Sequence, residues 1–253
     1  MMQKKILLVG ESWTSTSTHV KGFDQFATAT WHSGATDFMA ALADSDYAIT
    51  HMPAHAAATE FPLSLAELQQ WDAIILSDIG ANTLLLHPDT WLKSRRTANR
   101  LALIHDYVAG GGALMMIGGY YSFQGINGGA RYRNTLVEKV LPVRCLAWDD
   151  RIETPEGCYA EVTGSHALFN GLSGEWPWLL GYNEVEMQPG GQLLATISGT
   201  GHPLLAVREY QQGRSLVWTS DMSAHWLPEE FARWPGYRQL WINCLDWLTG
   251  RDG

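Results

Sequence analysis

Cysteines are scarce in the sequence, and basic residues are neither abundant nor clustered. The three cysteines, Cys145, Cys158 and Cys244, show no C-x-x-C spacing, and their odd number leaves at least one thiol unpaired. This favours a reducing compartment over a disulfide-stabilised secreted fold. The 17 basic residues stand against 26 acidic ones, for a net charge of −9. Nucleic-acid binding depends on clustered cations that face phosphates, so no nucleic-acid partner is expected.

Long apolar runs and nucleotide-binding motifs are missing as well. No segment approaches the roughly 20 apolar residues of a membrane-spanning helix. The apolar part of the N-terminal "KKILLVG" is also shorter than the roughly 7–15 residues of a signal sequence core. We therefore expect a cytoplasmic protein with no membrane partner. Neither G-x-G-x-x-G nor the P-loop pattern occurs, so no cofactor is expected.

The histidines give little support for a metal site. His51 and His55 are four residues apart, as one helical turn would place two ligands, but Pro53 between them argues against a regular helix. No H-E-x-x-H or comparable signature is present. We therefore expect no bound metal.

What the sequence does contain is a regular alternation of apolar strands and amphipathic helices. The strands are predicted in "KKILLVG", "YAITHMP", "DAIILSDIG" and "ALMMIGG", and the polar "ESWTSTSTHVKG" after the first strand is interpreted as a loop. Continuous apolar strands between helices are typical of a parallel sheet covered on both faces. After Leu141 short strands alternate with Gly and Pro turns and indicate antiparallel pairing. We predict one α/β domain over 1–253, a flavodoxin-like parallel sheet sandwiched by helices with a β-rich C-terminal part.

Several helix ends carry recognisable signals. Ser64, with Glu67 three residues later, predicts a capping box, and Thr36 is a candidate N-cap for the helix that follows it. The glycines at 110–112 end a helix that begins near Arg96. The closing helix "GYRQLWINCLDWLTG" has an apolar stripe that should be buried, formed by Leu240, Cys244, Trp247 and Leu248.

The ordered motifs of the chain resemble the class I glutamine amidotransferase-like superfamily, and most of all its glutamine amidotransferase-like group close to the ThuA-like (trehalose-utilisation) proteins. The motifs are "KKILLVGESW", "DAIILSDIG", "IGGYYSFQG", "GSHALFNGL", "GRSLVWTSDMSAHW" and "LWINCLDWLTG". The resemblance covers nearly the whole chain. It implies a turn after the fourth parallel strand that carries the nucleophile in active members.

Two of the three catalytic positions depart from the pattern of that family. Active members have a motif like G-x-C-x-G-x-Q at this turn; Gly118 and Gln124 match its ends, but Tyr120 stands where the cysteine should be. Of the family's later H-x-E motif, His225 matches the histidine, whereas Leu227 stands where the glutamate should be. Because acyl-enzyme chemistry needs a thiolate beside a base, the resemblance implies the fold without the glutaminase activity.

Ligands of parallel α/β sheets bind beyond the carboxyl ends of the strands, which places the candidate site. Tyr120 and His225 are the candidate catalytic residues. Whether Tyr120 serves the pocket as a hydrogen-bond donor or fills it is left open, as is whether Asp221 orients His225 or caps a turn. The candidate ligand-binding residues are Glu11, Trp13, Asp78, Gly119, Tyr121, Ser122 and Asp221.

Three functions remain as hypotheses. The leading one is a small-molecule-binding protein whose ligand is a polar or sugar-like metabolite. The alternative is a hydrolase or isomerase that uses His225 with Tyr120 or Glu11 as acid and base. The third is a homo-oligomeric assembly protein that associates through tryptophan-rich surfaces such as "EWPWLLGY", with Trp176 and Trp178. The acidic "DDRIE" at 149–153 is expected to be a solvated face.

Overall fold

The computed structural model describes residues 3–251, which form fourteen strands, nine helices and two short 3₁₀ turns. The strands are β1 (Lys4–Gly10), β2 (Ser12–Lys21), β3 (Asp24–Ser33), β4 (Tyr47–Met52), β5 (Ala73–Ser77), β6 (Ala113–Ile117), β7 (Val143–Cys145), β8 (Arg151–Cys158), β9 (Ala160–Val162), β10 (Leu179–Asn183), β11 (Val185–Met187), β12 (Gly191–Ile197), β13 (Pro203–Tyr210) and β14 (Gly213–Trp218). The helices are α1 (Thr36–Leu42), α2 (Ala54–Glu60), α3 (Leu65–Leu68), α4 (Ala81–Leu85), α5 (Pro88–Trp91), α6 (Arg100–Ala109), α7 (Leu136–Val140), α8 (Glu229–Ala232) and α9 (Tyr237–Leu248).

The central sheet has eight strands in the order β4-β1-β5-β6-β14-β13-β12-β9. From β4 to β14 neighbouring strands are parallel, whereas β13, β12 and β9 continue the sheet antiparallel. The prediction of a flavodoxin-like parallel sheet with a β-rich C-terminal part is confirmed. Further antiparallel pairs join β10 to β8, β11 to β7 and β2 to β3.

Helices cover both faces of the sheet. Successive side chains of its buried strands point to opposite sides, so each face presents apolar residues to the helices. Ile6 and Leu8 of β1 pack in one apolar cluster with α1 and α9. Leu7 and Val9 pack in a second cluster with α2, α3, α4, α6 and α7. This three-layer arrangement explains why β6 and the central residues of β1 and β5 are apolar at successive positions.

Three of the four predictions about the helices are confirmed. One of them is the end of α6 at its C-cap Gly110, although this helix begins at Arg100 and not near Arg96. The Ser64 hydroxyl accepts a hydrogen bond from the Glu67 N–H, and the Glu67 carboxylate accepts one from the Ser64 N–H, which is a complete capping box. The stripe predicted on α9 is buried. The prediction for Thr36 is wrong: the helix already includes it, and Ala35 is the N-cap with no side-chain hydrogen bond.

The prediction of a loop after the first strand is wrong, because this segment forms one strand of a long hairpin. Strands β2 and β3 pair antiparallel along ten residues each, from Ser12 opposite Ser33 to Lys21 opposite Asp24. Gly22, with φ of 66°, takes the first central position of the two-residue turn, where a positive φ favours glycine. Every residue from 13 to 31 is exposed. We call the segment Ser12–Ser33 the arm.

The tryptophan-rich segment proposed as an assembly surface is in large part interior. Trp176 is 7% exposed, and its ring lies 6.2 Å from that of Trp218 and 5.7 Å from that of Trp234. The expectation that Trp176 lies on an exposed surface is therefore wrong. Among residues 3–251, no helix is long and apolar enough to span a membrane.

Candidate functional site

A cavity of about 350 Å³ lies at the carboxyl ends of four neighbouring parallel strands. Glu11 follows β1, Asp78 follows β5, the two tyrosines follow β6, and Asp221 and His225 follow β14, while Trp13 reaches the cavity from the base of the arm. Because these strand ends meet at one edge of the sheet, side chains far apart in the chain surround one space. The lining residues are Glu11, Trp13, Asp78, Tyr120, Tyr121, Asp221, Ala224 and His225.

The carboxyl group of Glu11 is the most enclosed polar group of the cavity wall. The residue is 2% exposed, and its carboxyl oxygens accept hydrogen bonds from the hydroxyls of Ser77 at 2.5 Å and Ser223 at 2.9 Å. Burial, and then the nearby negative charges of Asp221 and Asp78, raise the pKa of Glu11 well above its ordinary value. Glu11 therefore holds its proton at a higher pH than an exposed glutamate.

Asp221 and His225 form a second polar pair, four residues apart on the loop after β14. One Asp221 oxygen accepts the Met222 N–H at 2.8 Å, and the other lies 3.4 Å from Nδ1 of His225, so Asp221 both caps the turn and faces the imidazole. Burial and the charge of Asp78 raise the pKa of Asp221 well above its ordinary value, whereas burial lowers the pKa of His225. The lowered pKa favours a neutral imidazole, which can accept a proton.

Asp78 connects the end of β5 to the turn after β6. Its carboxylate accepts the Tyr121 N–H at 2.7 Å, and its own N–H donates to the hydroxyl of Ser122 at 3.1 Å. Ser122 is 2% exposed and its hydroxyl donates to the Ile117 carbonyl at 2.5 Å. Neither Ser122 nor Gly119 is among the residues that line the cavity. They shape the turn behind the wall.

Three residues of the cavity wall have backbone conformations that side chains disfavour. Glu11 has φ of 47°, Asp78 has φ of 46°, and His225 has φ of 144°. Positive φ costs a residue other than glycine on the order of 1–3 kcal/mol and persists where the surroundings impose it. Such residues are concentrated at functional sites, and here all three border one cavity.

Tyr120 forms a side wall of the cavity, and its hydroxyl has a partner. The hydroxyl donates to Glu153 at 3.1 Å, and the ring lies edge-on to His225 with 4.0 Å between centroids. Arg151 lies 5.0 Å from the ring centroid on one face. Burial and the adjacent Glu153 raise the pKa of the Tyr120 phenol. A phenol with a raised pKa and a carboxylate partner is a poor nucleophile near neutral pH.

Sequence reasoning missed the support behind the turn, which comes from "DDRIE" and from Asn183. Asp150 is 1% exposed and accepts the backbone N–H groups of Gln124 at 2.7 Å and Gly125 at 2.9 Å. Asn183 binds both the N–H and the carbonyl of Gly119, at 3.0 and 3.2 Å, and donates to Asp150 at 2.8 Å. The expectation of a solvated acidic face is therefore wrong for Asp150.

The cysteines and Leu227 lie away from the cavity in the described part of the chain, residues 3–251. The three cysteines are all buried, and none of them lines the cavity. Leu227, at the position of the family's glutamate, is fully buried. Among residues 3–251, no group of three or more His, Cys, Asp or Glu side chains is arranged to hold a metal ion.

Comparisons with known proteins agree with this architecture. Two solved structures share 42% of their residues with the chain: cytoplasmic protein STM3548 from Salmonella typhimurium, with a TM-score of 0.92 over 96% of this chain and 98% of that one, and cytoplasmic protein STM1381 from Salmonella typhimurium LT2, with a TM-score of 0.91 over 96% and 99%. A ThuA-like protein from Bacteroides uniformis ATCC 8492 shares the fold at 10% identity, with a TM-score of 0.58 over 98% of this chain and 91% of that one.

No protein of curated function matches the chain. The family described as "Putative glutamine amidotransferase" matches residues 5–250, nearly the whole sequence. With the expected sheet and the turn after β6 both in place, the chain belongs to this glutamine amidotransferase-like family.

Proposed function

We propose that the protein is a family member without glutaminase activity, and that its cavity binds a small polar, sugar-like metabolite. The observation that carries the proposal is the wall of the cavity itself: Tyr120, which matches the nucleophile position of the family motif, is a lining residue, and no cysteine is among them. Hydrolysis of glutamine through an acyl-enzyme needs a thiolate beside a base. The remaining groups are suited to binding.

The chemistry of the lining supports a ligand rich in hydroxyl groups. The carboxyl groups of Glu11, Asp78 and Asp221 offer hydrogen-bond acceptors, and the rings of Trp13 and Tyr121 offer apolar surface beside them. Sugars present hydroxyls at their edges and C–H groups on their faces, which fits such a mixed wall. No Lys or Arg is among the lining residues, so phosphorylated or carboxylated ligands should bind poorly.

A second candidate function, acid–base catalysis on that ligand, is favoured by the contrast between Glu11 and His225. The raised pKa of the Glu11 carboxyl lets it keep a proton to donate at higher pH, whereas the lowered pKa of the His225 imidazole keeps it neutral and able to accept one. General acid–base catalysis is most effective when the pKa of the catalytic group lies near the working pH. In this hypothesis Glu11 donates a proton and His225, facing Asp221, accepts one. Tyr120 closes the wall.

The names of the two Salmonella proteins support a cytoplasmic location, which we propose for this chain too. We also propose that 1–253 form one domain, since the two apolar clusters lie on opposite faces of the same sheet.

A ligand screen by thermal shift, followed by calorimetry, tests the binding proposal. Neutral sugars and polyols should raise the melting temperature, and their phosphorylated counterparts should not. Trp13→Ala should weaken binding, whereas Trp91→Ala should leave it unchanged, because both tryptophans are exposed and only Trp13 lines the cavity. Release of ammonia from glutamine by the pure protein, or a ligand that binds Trp13→Ala as tightly as the wild type, would contradict the proposal.

Proton NMR of the protein with each binding sugar separates a binder from an enzyme. Conversion of the sugar that stops in Glu11→Gln while calorimetry still shows binding would support acid–base catalysis. Binding with no conversion would leave the simpler binding function.

A further inference from the structure

We infer that the arm lies on a second copy of this chain in solution. Its side chains are exposed from residue 13 to residue 31, among them Phe23 at the tip and Val20 at 68% exposure. In the described chain β2 and β3 pair only with each other, so both outer edges of the arm offer unpaired backbone groups. The inference does not depend on what the cavity binds.

An arm of this kind is not expected to be stable in water on its own. A lone two-stranded hairpin is marginal at best, and long exposed strand edges recruit other strands or surfaces. Here the pairing runs without interruption through ten residue pairs, although neither face meets the body beyond the base. A covering surface would explain why so long a hairpin is kept.

The two faces of the arm differ, and one of them is better suited to a contact. The histidine face has internal partners: the rings of Trp13 and His32 stack at 5.2 Å, and those of His19 and Phe26 at 4.6 Å. Beyond Trp31, whose ring lies edge-on to His55 of α2 near the base of the arm, the threonine face consists mostly of short and branched side chains that leave a flat surface. By the pleat and register, its members are Ser12, Thr14, Thr16, Thr18, Val20, Gln25, Ala27, Ala29, Trp31 and Ser33.

The charge of the arm points to another copy as the partner. Apart from its histidines, the only ionisable side chains of the arm are Lys21 and Asp24, which lie directly opposite each other and cancel. The chain as a whole carries a net charge of −9, so two copies repel over most of their surfaces. A neutral, projecting segment provides a contact at which that repulsion is least.

The area of the arm also favours a symmetric pair over a one-sided contact. Ten residues at about 3.3 Å each, across a width of about 10 Å, give one face of the arm on the order of 330 Å². One docked arm would bury about 700 Å² on both partners together, which is below the roughly 1,200 Å² of a specific interface. In a two-fold dimer both arms contribute, and the total reaches about 1,300 Å².

Light scattering coupled to gel filtration tests the inference at micromolar protein concentrations. The wild type should have the mass of a dimer, or of another defined oligomer. An arm deletion that joins Trp13 to His32 through an Asn-Gly turn should be monomeric, and it keeps the Trp13 side chain at the cavity. Hydrogen exchange of the wild type should show protected amides within 14–31, and this protection should be lost when the oligomer is diluted.

A matched pair of point variants guards against a deletion that fails to fold. Ala29→Glu places a charge on the threonine face, and Thr30→Glu places the same charge on the next residue, on the histidine face. Both positions are exposed, so neither change should unfold the monomer. A dissociation constant of the oligomer at least tenfold higher for Ala29→Glu than for Thr30→Glu would support the inference. A monomeric wild type, an oligomer that survives both the deletion and Ala29→Glu, or equal loss in both variants would overturn it.

Discussion

The two ends of the central sheet both carry a depression, but they differ in how their residues are held. The cleft at the amino ends is the larger, about 440 Å³, and its charged pair, Lys4 and Asp72, is 2.9 Å apart with about a third of each side chain exposed. Its only lining residues with a positive φ are glycines, Gly111 and Gly250. The cavity at the carboxyl ends, about 350 Å³, has buried carboxyl groups and positive φ at three residues that are not glycine.

Volume alone therefore does not favour the depression that we propose as the site. At the amino ends neither feature costs much stability. The charges of Lys4 and Asp72 remain partly hydrated, and the positive φ angles belong to glycines. At the carboxyl ends the fold holds desolvated acids and strained residues in place at a cost to stability, which is typical of functional sites and supports the proposed one. This contrast can be tested through stability.

The largest difference is expected when the support of each depression is removed. Asn183→Leu should lower the free energy of unfolding by about 3 kcal/mol, because it leaves the Gly119 N–H and carbonyl, and Asp150, short of partners in a buried place. Lys4→Met, which breaks the ion pair at the amino end, should cost less than about 1 kcal/mol. Urea denaturation of both variants measures the two values.

The stability lost in Asn183→Leu should depend on pH, because Asp150 is buried. Its pKa is raised to about 6, so it is ionised at neutral pH, where the hydrogen bond from Asn183 supports its charge. The loss in Asn183→Leu should be greater above that pH than below it. If Asn183→Leu and Lys4→Met lower the free energy of unfolding equally, the residues of the two depressions are not held differently.

The sequence predicts the layers of this fold better than it predicts the arm. Strands such as β6 are apolar at every position because both faces of the sheet are covered, and that pattern is visible without a structure. The arm alternates serine and threonine with no buried face, so no apolar period marks it as a strand. Only its two-residue turn at Gly22 gave a local signal, and this glycine was read as the end of a loop.

The same limit applies to the site. Glu11 and Asp78 could be named because each follows a predicted parallel strand, and such strand ends meet at one edge. His225 could be named because it matches the histidine of the family's H-x-E motif after a late strand. Asp150 and Asn183 could not, because their role depends on β8 and β10 pairing behind the turn, and neither strand has a motif that links it to the turn. An acidic run is a solvated face in most proteins, and only the tertiary structure shows that one of its members is buried.

A smaller change, an increase in the free energy of unfolding, is expected when the buried Glu11 is replaced by a neutral residue. Because the pKa of Glu11 is raised in the folded state, its contribution to stability is fully present below the unfolded pKa and is lost as the pH rises through the folded value. Glu11→Gln does not titrate. It should therefore match the wild type near about pH 4 and be more stable by about 1–2 kcal/mol near about pH 8.

The amino end supplies the control for Glu11. Asp72 is partly exposed and paired with Lys4, so Asp72→Asn should lower stability slightly and without a rise at alkaline pH. Urea denaturation across the pH range gives both profiles. A Glu11→Gln variant that is less stable than the wild type at alkaline pH would show that its hydrogen bonds to Ser77 and Ser223 outweigh the burial of its charge.

The smallest effect isolates the backbone strain at His225. His225→Ala and His225→Gly both remove the imidazole and its contacts with Tyr120 and Trp226, so they differ only in what φ of 144° costs them. Glycine adopts this conformation freely, whereas alanine does not, so His225→Gly should be more stable than His225→Ala by about 1 kcal/mol. Thermal unfolding of the two variants measures the difference.

Gly111 at the amino end provides the reverse substitution. It has φ of 109°, and a Cβ there would meet nothing closer than the Gln212 carbonyl at 3.8 Å, so Gly111→Ala changes the backbone cost and little else. The free energy of unfolding lost in Gly111→Ala should equal the difference between His225→Gly and His225→Ala. Both comparisons set glycine against alanine at a positive φ. If Gly111→Ala loses stability while the two variants at 225 are equally stable, the loop after β14 relaxes once the imidazole is gone. The side chain of His225, held between Tyr120, Trp226 and Asp221, would then be what imposes the strain, and the cavity would owe its shape to that ring.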